Sequence, residues 1–382
     1  MNIGIDIRCL MTANKTGVGE YTTELLSAVF ALDKINQYYL FYNSANDVAV
    51  QIPKWFGDNI HYIHTRWPNK LLNFCLLLFR WPKLDKMIGQ KLDLWYAPNL
   101  NFTALSKHTK FVLTVHDLAF EFFPGWLTWR QRLWHKLIRP KKQCGRAGLI
   151  LTPSDNTKRD LADFYKIPAE KIKVVYPGLS SIFYPLSSIS SGAEQKKKEL
   201  RVKYDLPENF ILFLGTIEPR KNILGLIEAF GNLNDQTDLH LVIAGAPGWK
   251  NKKIYAHAAA SPVKDKIKFI GYVAPADKPG LYSLASIFVY PSFYEGFGFP
   301  ILEALSSGVP VITSSRSSLP EIAGSAATYV NAHYPEQIIT AINRLLNDIQ
   351  MREKQIKTGL LQSEKFRWPK AAEEFLKLVN NL

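Results

Sequence analysis

Cysteine is scarce in this 382-residue chain: only Cys9, Cys75 and Cys144, odd in number and far apart. That spacing excludes a disulfide framework and a thiolate metal site, and it fits a reducing cytoplasm. Long apolar runs are also missing. Leu71 to Phe79 is the longest strongly apolar stretch, it is broken by Asn73, and it falls far short of the ~20 residues a spanning helix needs. The start, MNIGIDIRCL, lacks the basic, apolar and small-residue order of a secretory leader. Repeats and low-complexity tracts are absent. Acid is in deficit, with 33 Asp and Glu against 47 Lys and Arg, a net charge of +14. The deficit is uneven: residues 1–190 carry 24 cationic against 14 acidic side chains, the remainder 23 against 19. An anionic lipid surface, a phosphorylated acceptor or nucleic acid would each suit a basic first half. No nucleic-acid recognition motif accompanies the charge, so nucleic acid is not expected as a partner.

What is present is apolar material, 47% of the chain, enough for two cores in a chain too long for one. Short apolar strands are expected at Asn2–Ile7, Tyr39–Tyr42, Leu94–Tyr96, Phe111–Thr114, Leu149–Thr152 and Lys173–Tyr176. Helical patterns separate several of them, the first beginning at Tyr21 after a loop with Gly17 and Gly19. A polar run, Ser187–Lys198, reads as a linker. Alternation then resumes with strands at Phe210–Gly215, Leu239–Ala244, Ile267–Gly271, Ile287–Tyr290 and Val309–Thr313. The expected fold is α/β: two tandem doubly wound, Rossmann-like domains, residues 1–190 and 200–365, facing across a cleft. A helix within 366–382 is expected to pack back on the first domain.

The most specific segment runs from Pro291 to Gly324, PSFYEGFGFPILEALSSGVPVITSSRSSLPEIAG. Glu295 and Glu303 flank a strand-to-helix turn in which Gly296 and Gly298 admit close backbone approach. Pro300 suits a first helical turn, and the free N–H groups there attract anions. Paired carboxylates in such a place suit sugar hydroxyls, because each accepts two hydrogen bonds. A second motif, FLGTIEPRKNILGLIEAF, puts Arg220 and Lys221 at another strand-to-helix turn, where two cations suit a diphosphate. A third, TVHDLAF, puts His116 at a strand end, with Asp117 either orienting it, receiving an acceptor or capping a helix.

These motifs resemble the donor signature of the retaining GT-B glycosyltransferases of the glycogen-synthase-like superfamily, family four: a Glu, a Gly-Phe-Gly turn, and a second Glu after seven residues. LVIAGAPGWK resembles the mannosyltransferase-type subgroup. The resemblance implies a retaining transferase moving a hexose, mannose-type favoured, from a nucleotide-diphosphate sugar such as GDP-mannose or a UDP-hexose. The acceptor would be a glycan or a lipid-linked glycan in cell-envelope polysaccharide synthesis. It implies Glu295, with Gly296, Phe297 and Gly298, on the donor sugar, Glu303 on the ribose, and Arg220 and Lys221 on the diphosphate. It further implies Tyr272 and Val273 beside the base, Gly17 and Gly19 over the sugar-diphosphate, and His116 at the donor sugar. Thr216 stands where many relatives carry Arg. No Asp-x-Asp or Cys/His ligand cluster is visible, so neither a metal nor a resident cofactor is expected. A binding-only subunit, an epimerase and a phosphorylase are the alternatives.

Two segments join cations to aromatics, Arg66–Lys83 and Trp126–Lys142. In the second, Trp126, Trp129 or Arg130, Leu133 and Leu137 share a helical spacing, with Arg132, Lys136, Arg139, Lys141 and Lys142 nearby. Such helices lie in a bilayer interface, and the expected place of the protein is cytoplasmic, peripheral at the inner face of a membrane.

Overall fold

The computed structural model describes residues 1–11, 17–46, 48, 51–185, 193–233 and 238–382. Two compact units emerge. One comprises Met1–Phe120, Trp129–Gly178 and Arg367–Leu382; the other comprises Glu121–Thr128 and Leu179–Phe366.

The first unit holds a seven-stranded sheet of β1 (Asn2–Asp6), β2 (Gln37–Asn43), β3 (Ile60–Thr65), β4 (Leu94–Ala97), β5 (Lys110–Thr114), β6 (Leu149–Thr152) and β7 (Ile172–Val174). Their order is β3-β2-β1-β4-β5-β6-β7, with every pairing parallel. The second unit holds β8 (Asn209–Leu214), β9 (Leu239–Ala244), β10 (Ile267–Gly271), β11 (Ile287–Tyr290), β12 (Val311–Ser314) and β13 (Ala327–Val330). Here the order is β10-β9-β8-β11-β12-β13, again parallel throughout. Phe210, Ile211, Leu212 and Phe213 of β8 are all fully buried. A strand covered on both faces reads as a continuous apolar run, not an alternation. The edge strands β3, IHYIHT, and β13, ATYV, are mostly half-exposed and carry no such run; the sequence reading missed both.

Three expectations are corrected. Gly17 and Gly19 do not sit in a loop: they form the first turn of the helix Gly17–Leu32. The polar run is no simple linker either. Residues 187–192 lie outside the described residues, but Ala193–Tyr204 is a helix, and the units divide at Gly178 and Leu179. That polar helix is pinned ionically, with Lys203 Nζ and Tyr204 OH donating to the buried Asp277 at 2.6 and 2.8 Å. Finally, Trp126 belongs to no membrane-facing helix. It closes a 3-10 turn, Pro124–Trp126, and its ring stacks on Phe123 and Phe293. The basic helix begins only at Trp129.

The helix Trp368–Asn380 packs within the first unit against Gly17–Leu32. Trp368 meets Tyr21 edge-on at 5.7 Å, and Phe375 meets Tyr96 at 4.9 Å. In the second unit, Gly245 brings the ends of three strands together. Its N–H donates to Gly271 O at 2.7 Å, its φ is +144°, and an added Cβ would lie 1.9 Å from Gly215 O. No side chain fits there.

Candidate active site

In the second sheet, β8 has β9 on one side and β11 on the other. The chain winds outward from β8 through β9 to β10, then returns to β11. Loops leaving β8 and β11 therefore diverge, and such a reversal of strand order opens a crevice at the carboxyl ends of the strands. Both motifs singled out in the sequence leave the sheet at this point. The loop after β8 ends in a 3-10 turn, Pro219–Lys221; the loop after β11 runs to the helix Phe299–Ser306. Arg220 O knits them, accepting from Phe293 N–H at 3.0 Å and Ser292 Oγ at 3.1 Å.

Glu295 is the centre of the cluster and is buried. Its Oε1 accepts from Lys221 Nζ at 2.6 Å, Ser292 Oγ at 2.6 Å and Tyr290 OH at 3.1 Å. Its Oε2 accepts from Arg220 Nη1 at 2.7 Å. Arg220 is held in turn by Glu218 Oε1, which accepts from Nε at 3.1 Å and Nη2 at 2.8 Å. Two cations thus face two carboxylates. Burial by itself would raise the Glu295 carboxyl, but Arg220 and then Lys221, with hydrogen bonds from Lys221 and Ser292, take it down to about 2. The charged form is the one these partners stabilise. Burial, and then the adjacent Arg220, draw the Lys221 ammonium below the ordinary lysine range. Burial followed by Glu295 pushes the Tyr290 phenol well up.

The Glu295 backbone is fixed as firmly as its side chain. Its N–H donates to Ser317 Oγ at 2.9 Å, while Ser318 Oγ donates to Glu295 O at 2.9 Å and Phe297 O at 2.7 Å. Gly298 then turns the chain with φ +112°, and an added Cβ would meet Leu319 Cδ2 at 2.9 Å. Pro300 falls in the first turn of the helix, as expected. The Phe297 ring packs in a small core with Leu302, Ile322 and Phe366, which leaves its backbone, not its side chain, for a ligand. Gly296 is buried beside it.

Glu303 has its own partners. Its Oε2 accepts from Tyr282 OH at 2.8 Å and its Oε1 from Lys278 Nζ at 3.4 Å. Both donors stand one turn apart on the helix Lys278–Leu284. Just before that helix, after β10, Tyr272 is exposed and Val273 is buried. Sequence reasoning missed Glu218, Tyr290, Ser292, Lys278 and Tyr282. Glu218 and Ser292 were legible, lying two and three residues from assigned positions; the two donors to Glu303 had no motif to mark them.

His116, Gly17 and Gly19 belong to the first unit. His116 follows β5, donates Nε2–H to Pro98 O at 2.9 Å and meets the Tyr21 ring edge at 4.8 Å. Burial lowers its pKa, so it is neutral at pH 7. Asp117 Oδ1 accepts from Ala119 N–H at 2.9 Å, the capping alternative. Among the described residues, no three His, Cys, Asp or Glu side chains gather to hold a metal.

Comparison with known proteins agrees with this architecture. Residues 16–181 match the family described as Glycosyltransferase Family 4, and residues 195–362 match Glycosyl transferases group 1. The chain is 30% identical over 369 residues to the O-antigen chain mannosyltransferase B of Escherichia coli, covering 92% of this chain and 93% of that one. Sucrose-phosphate synthase from Thermosynechococcus elongatus superposes with a TM-score of 0.75 at 19% identity, over 100% of this chain and 98% of that one. The Anabaena protein HepE, solved with UDP and glucose, gives 0.75 at 16% identity over 100% of both chains. The expected α/β, GT-B architecture of two parallel sheets is thereby confirmed. The chain belongs to the family 4, group 1 glycosyltransferases and is a glycosyltransferase.

Proposed function

We propose that this transferase moves a mannose-type hexose from a nucleotide-diphosphate sugar to a glycan or lipid-linked acceptor, retaining anomeric configuration and using no metal. The observation that carries this reading is Glu295 bridged by Arg220 and Lys221 at the switch point of the second sheet. The named mannosyltransferase relative supports the sugar, and HepE with UDP and glucose supports the donor class. A sequence match over nearly the whole chain favours transfer over a binding-only subunit, an epimerase or a phosphorylase.

In this reading the cluster is an anion site held ready by an internal counter-charge. Without donor, Arg220 and Lys221 spend their charge on Glu295. A diphosphate takes up part of both cations, and Glu295 turns its acceptor capacity to the donor sugar's hydroxyls. As the C1–oxygen bond to the diphosphate breaks, charge grows on the leaving oxygen next to fixed cations, which is where preorganised electrostatics act. The acceptor oxygen bonds to C1 on the same face, and its proton passes to the departing phosphate. Glu303, locked by Lys278 and Tyr282, presents a carboxylate to the ribose diol, with Tyr272 and Val273 at the base.

Peripheral attachment at the inner face of a membrane is part of this proposal. No helix among the described residues is long and apolar enough to cross a membrane. The helices Asn69–Leu78 and Trp129–Ile138 expose Phe74, Leu78, Trp129 and Leu133 among cations, as interfacial helices do.

A nucleotide-sugar panel read by thermal shift tests the donor site. GDP-mannose is expected to raise the Tm of wild type, because a ligand of the folded state stabilises by mass action. Glu303→Ala, still folded by circular dichroism, is expected to lose that rise. If no nucleotide sugar shifts wild type, the donor site is wrongly placed.

A further inference from the structure

The first unit carries a second basic site that the donor chemistry does not use. A groove open to solvent lies where the helix Asn69–Leu78, Arg80 beyond its end and the turn into the helix Pro140–Arg146 come together. Leu76, Leu77, Phe102 and Leu137 supply an apolar floor, while Arg80, Arg139, Lys142 and Arg146 supply the cations. No carboxylate lines it. Asp85, whose charge acts on Arg146 and Lys83, accepts from Ser106 N–H at 2.8 Å and Thr109 Oγ1 at 3.0 Å and does not line the groove.

Four features distinguish this groove from a solvated basic surface. Arg80, Arg139 and Lys142 have no carboxylate partner among the described residues, so three like charges converge uncompensated. Crowding is felt by their neighbour Lys83, whose ammonium is drawn down by burial and then by Arg80 and Arg146. Arg80 and Arg139 both take the left-handed conformation, φ 51°, a backbone state that ordinary side chains rarely adopt. Finally, the Gln143 amide donates to Asn101 O at 2.9 Å and Ile138 O at 2.6 Å, yet its buried Oε1 has no partner. Buried acceptors are nearly always satisfied, so a ligand bearing a hydroxyl beside its anionic oxygens would complete the site.

The surroundings are apolar. Phe79 and Trp81 flank Arg80 in the chain and are 67% and 55% exposed. Trp134 packs edge-on against Phe102 of the floor. We propose that this groove binds the headgroup phosphate of an anionic membrane lipid, the acyl chains lying toward the exposed aromatics. Arginine grips phosphate oxygens in paired hydrogen bonds, and the aromatics seat at headgroup depth. The inference rests on the membrane-attachment reading above and not on the donor site.

Calorimetric titration of the full chain with dihexanoylphosphatidate, a water-soluble lipid phosphate, tests it. Saturable 1:1 binding is expected, weakened about tenfold or more in Arg139→Ala/Lys142→Ala and in Lys142→Glu, since each lost charge-assisted bond is large. Lys158→Ala/Arg159→Ala, equal in charge removed but on the helix Asp155–Tyr165, should bind as wild type does. Equal loss in both double variants would mean diffuse charge attraction and overturn the site. Dihexanoylphosphatidylcholine binding as tightly, or no saturable binding at all, would also overturn it. So would inorganic phosphate binding as tightly, which would make free phosphate the ligand. Flotation with phosphatidate vesicles separates the two readings. Attachment kept by the groove variants sinks the groove alone, whereas attachment lost by wild type with soluble binding kept sinks membrane docking alone.

Discussion

Lys221→Ala is expected to lower kcat/KM by about 10²–10³-fold, about 3–4 kcal/mol of transition-state stabilisation, the magnitude of losing one preorganised donor at a developing anion. The size follows from where the ammonium sits. It is buried, and it donates to Glu295 Oε1 at 2.6 Å and Tyr290 OH at 2.5 Å. Its removal therefore takes a cation from the leaving diphosphate and also leaves Glu295 Oε1 with only Ser292 and Tyr290 as donors. Lys221→Arg should recover little, because a planar fork cannot replace a point charge in a site closed by Tyr290 and Ser292. Steady-state kinetics at saturating acceptor, with circular dichroism to show folding, check this. A loss under about tenfold would mean that the diphosphate lies elsewhere.

Glu295→Gln should act on stability as well as on turnover. The substitution keeps the shape but leaves Arg220 and Lys221 buried without their shared counter-charge, a change that typically costs about 3–5 kcal/mol. The pH dependence has a definite sign. The Glu295 carboxyl is held at about 2, against an ordinary value of 4.5. A lowered folded-state pKa contributes stability that is present above the unfolded value and lost as pH falls through the folded one. Wild type should therefore lose this contribution progressively between about pH 4.5 and 2. Asp277, whose carboxyl is held below its usual range by Lys203, Tyr204 and Lys196 against the opposing effect of burial, also loses its contribution in acid, and does so in both proteins. The difference between wild type and Glu295→Gln isolates Glu295. Urea denaturation at intervals from pH 7 to 2 should show that difference narrowing in acid. A difference that stays flat across the range would contradict the ion-paired assignment.

Much of this architecture was legible in the chain because a parallel sheet, covered on both faces, writes its strands as unbroken apolar runs. Leu149–Thr152, Leu239–Ala244 and Ile287–Tyr290 coincide with strands residue for residue, as does the half-exposed edge Ile267–Gly271. Two of the edge strands were not legible, since Ile60–Thr65 and Ala327–Val330 mix polar and apolar residues over half-exposed positions. The helix Ala193–Tyr204 hid for a related reason. It is held by Asp277 from a distant segment rather than by an apolar stripe. Of the site, the strand-to-helix turns with their acids and cations could be read. What could not be read was their mutual pairing: nothing local announces that Arg220 meets Glu295, 75 positions later, or that Lys278 and Tyr282 close on Glu303.

The central claim, metal-independent transfer with retention, is tested most directly by product stereochemistry. The protein is incubated in EDTA with GDP-α-mannose and a mannose-bearing lipid-linked acceptor, and the anomeric configuration of the new linkage is read by NMR. An α-linked mannose formed at the rate seen without chelator is the predicted result. A β-linkage, or turnover restored only by added divalent metal, would contradict it.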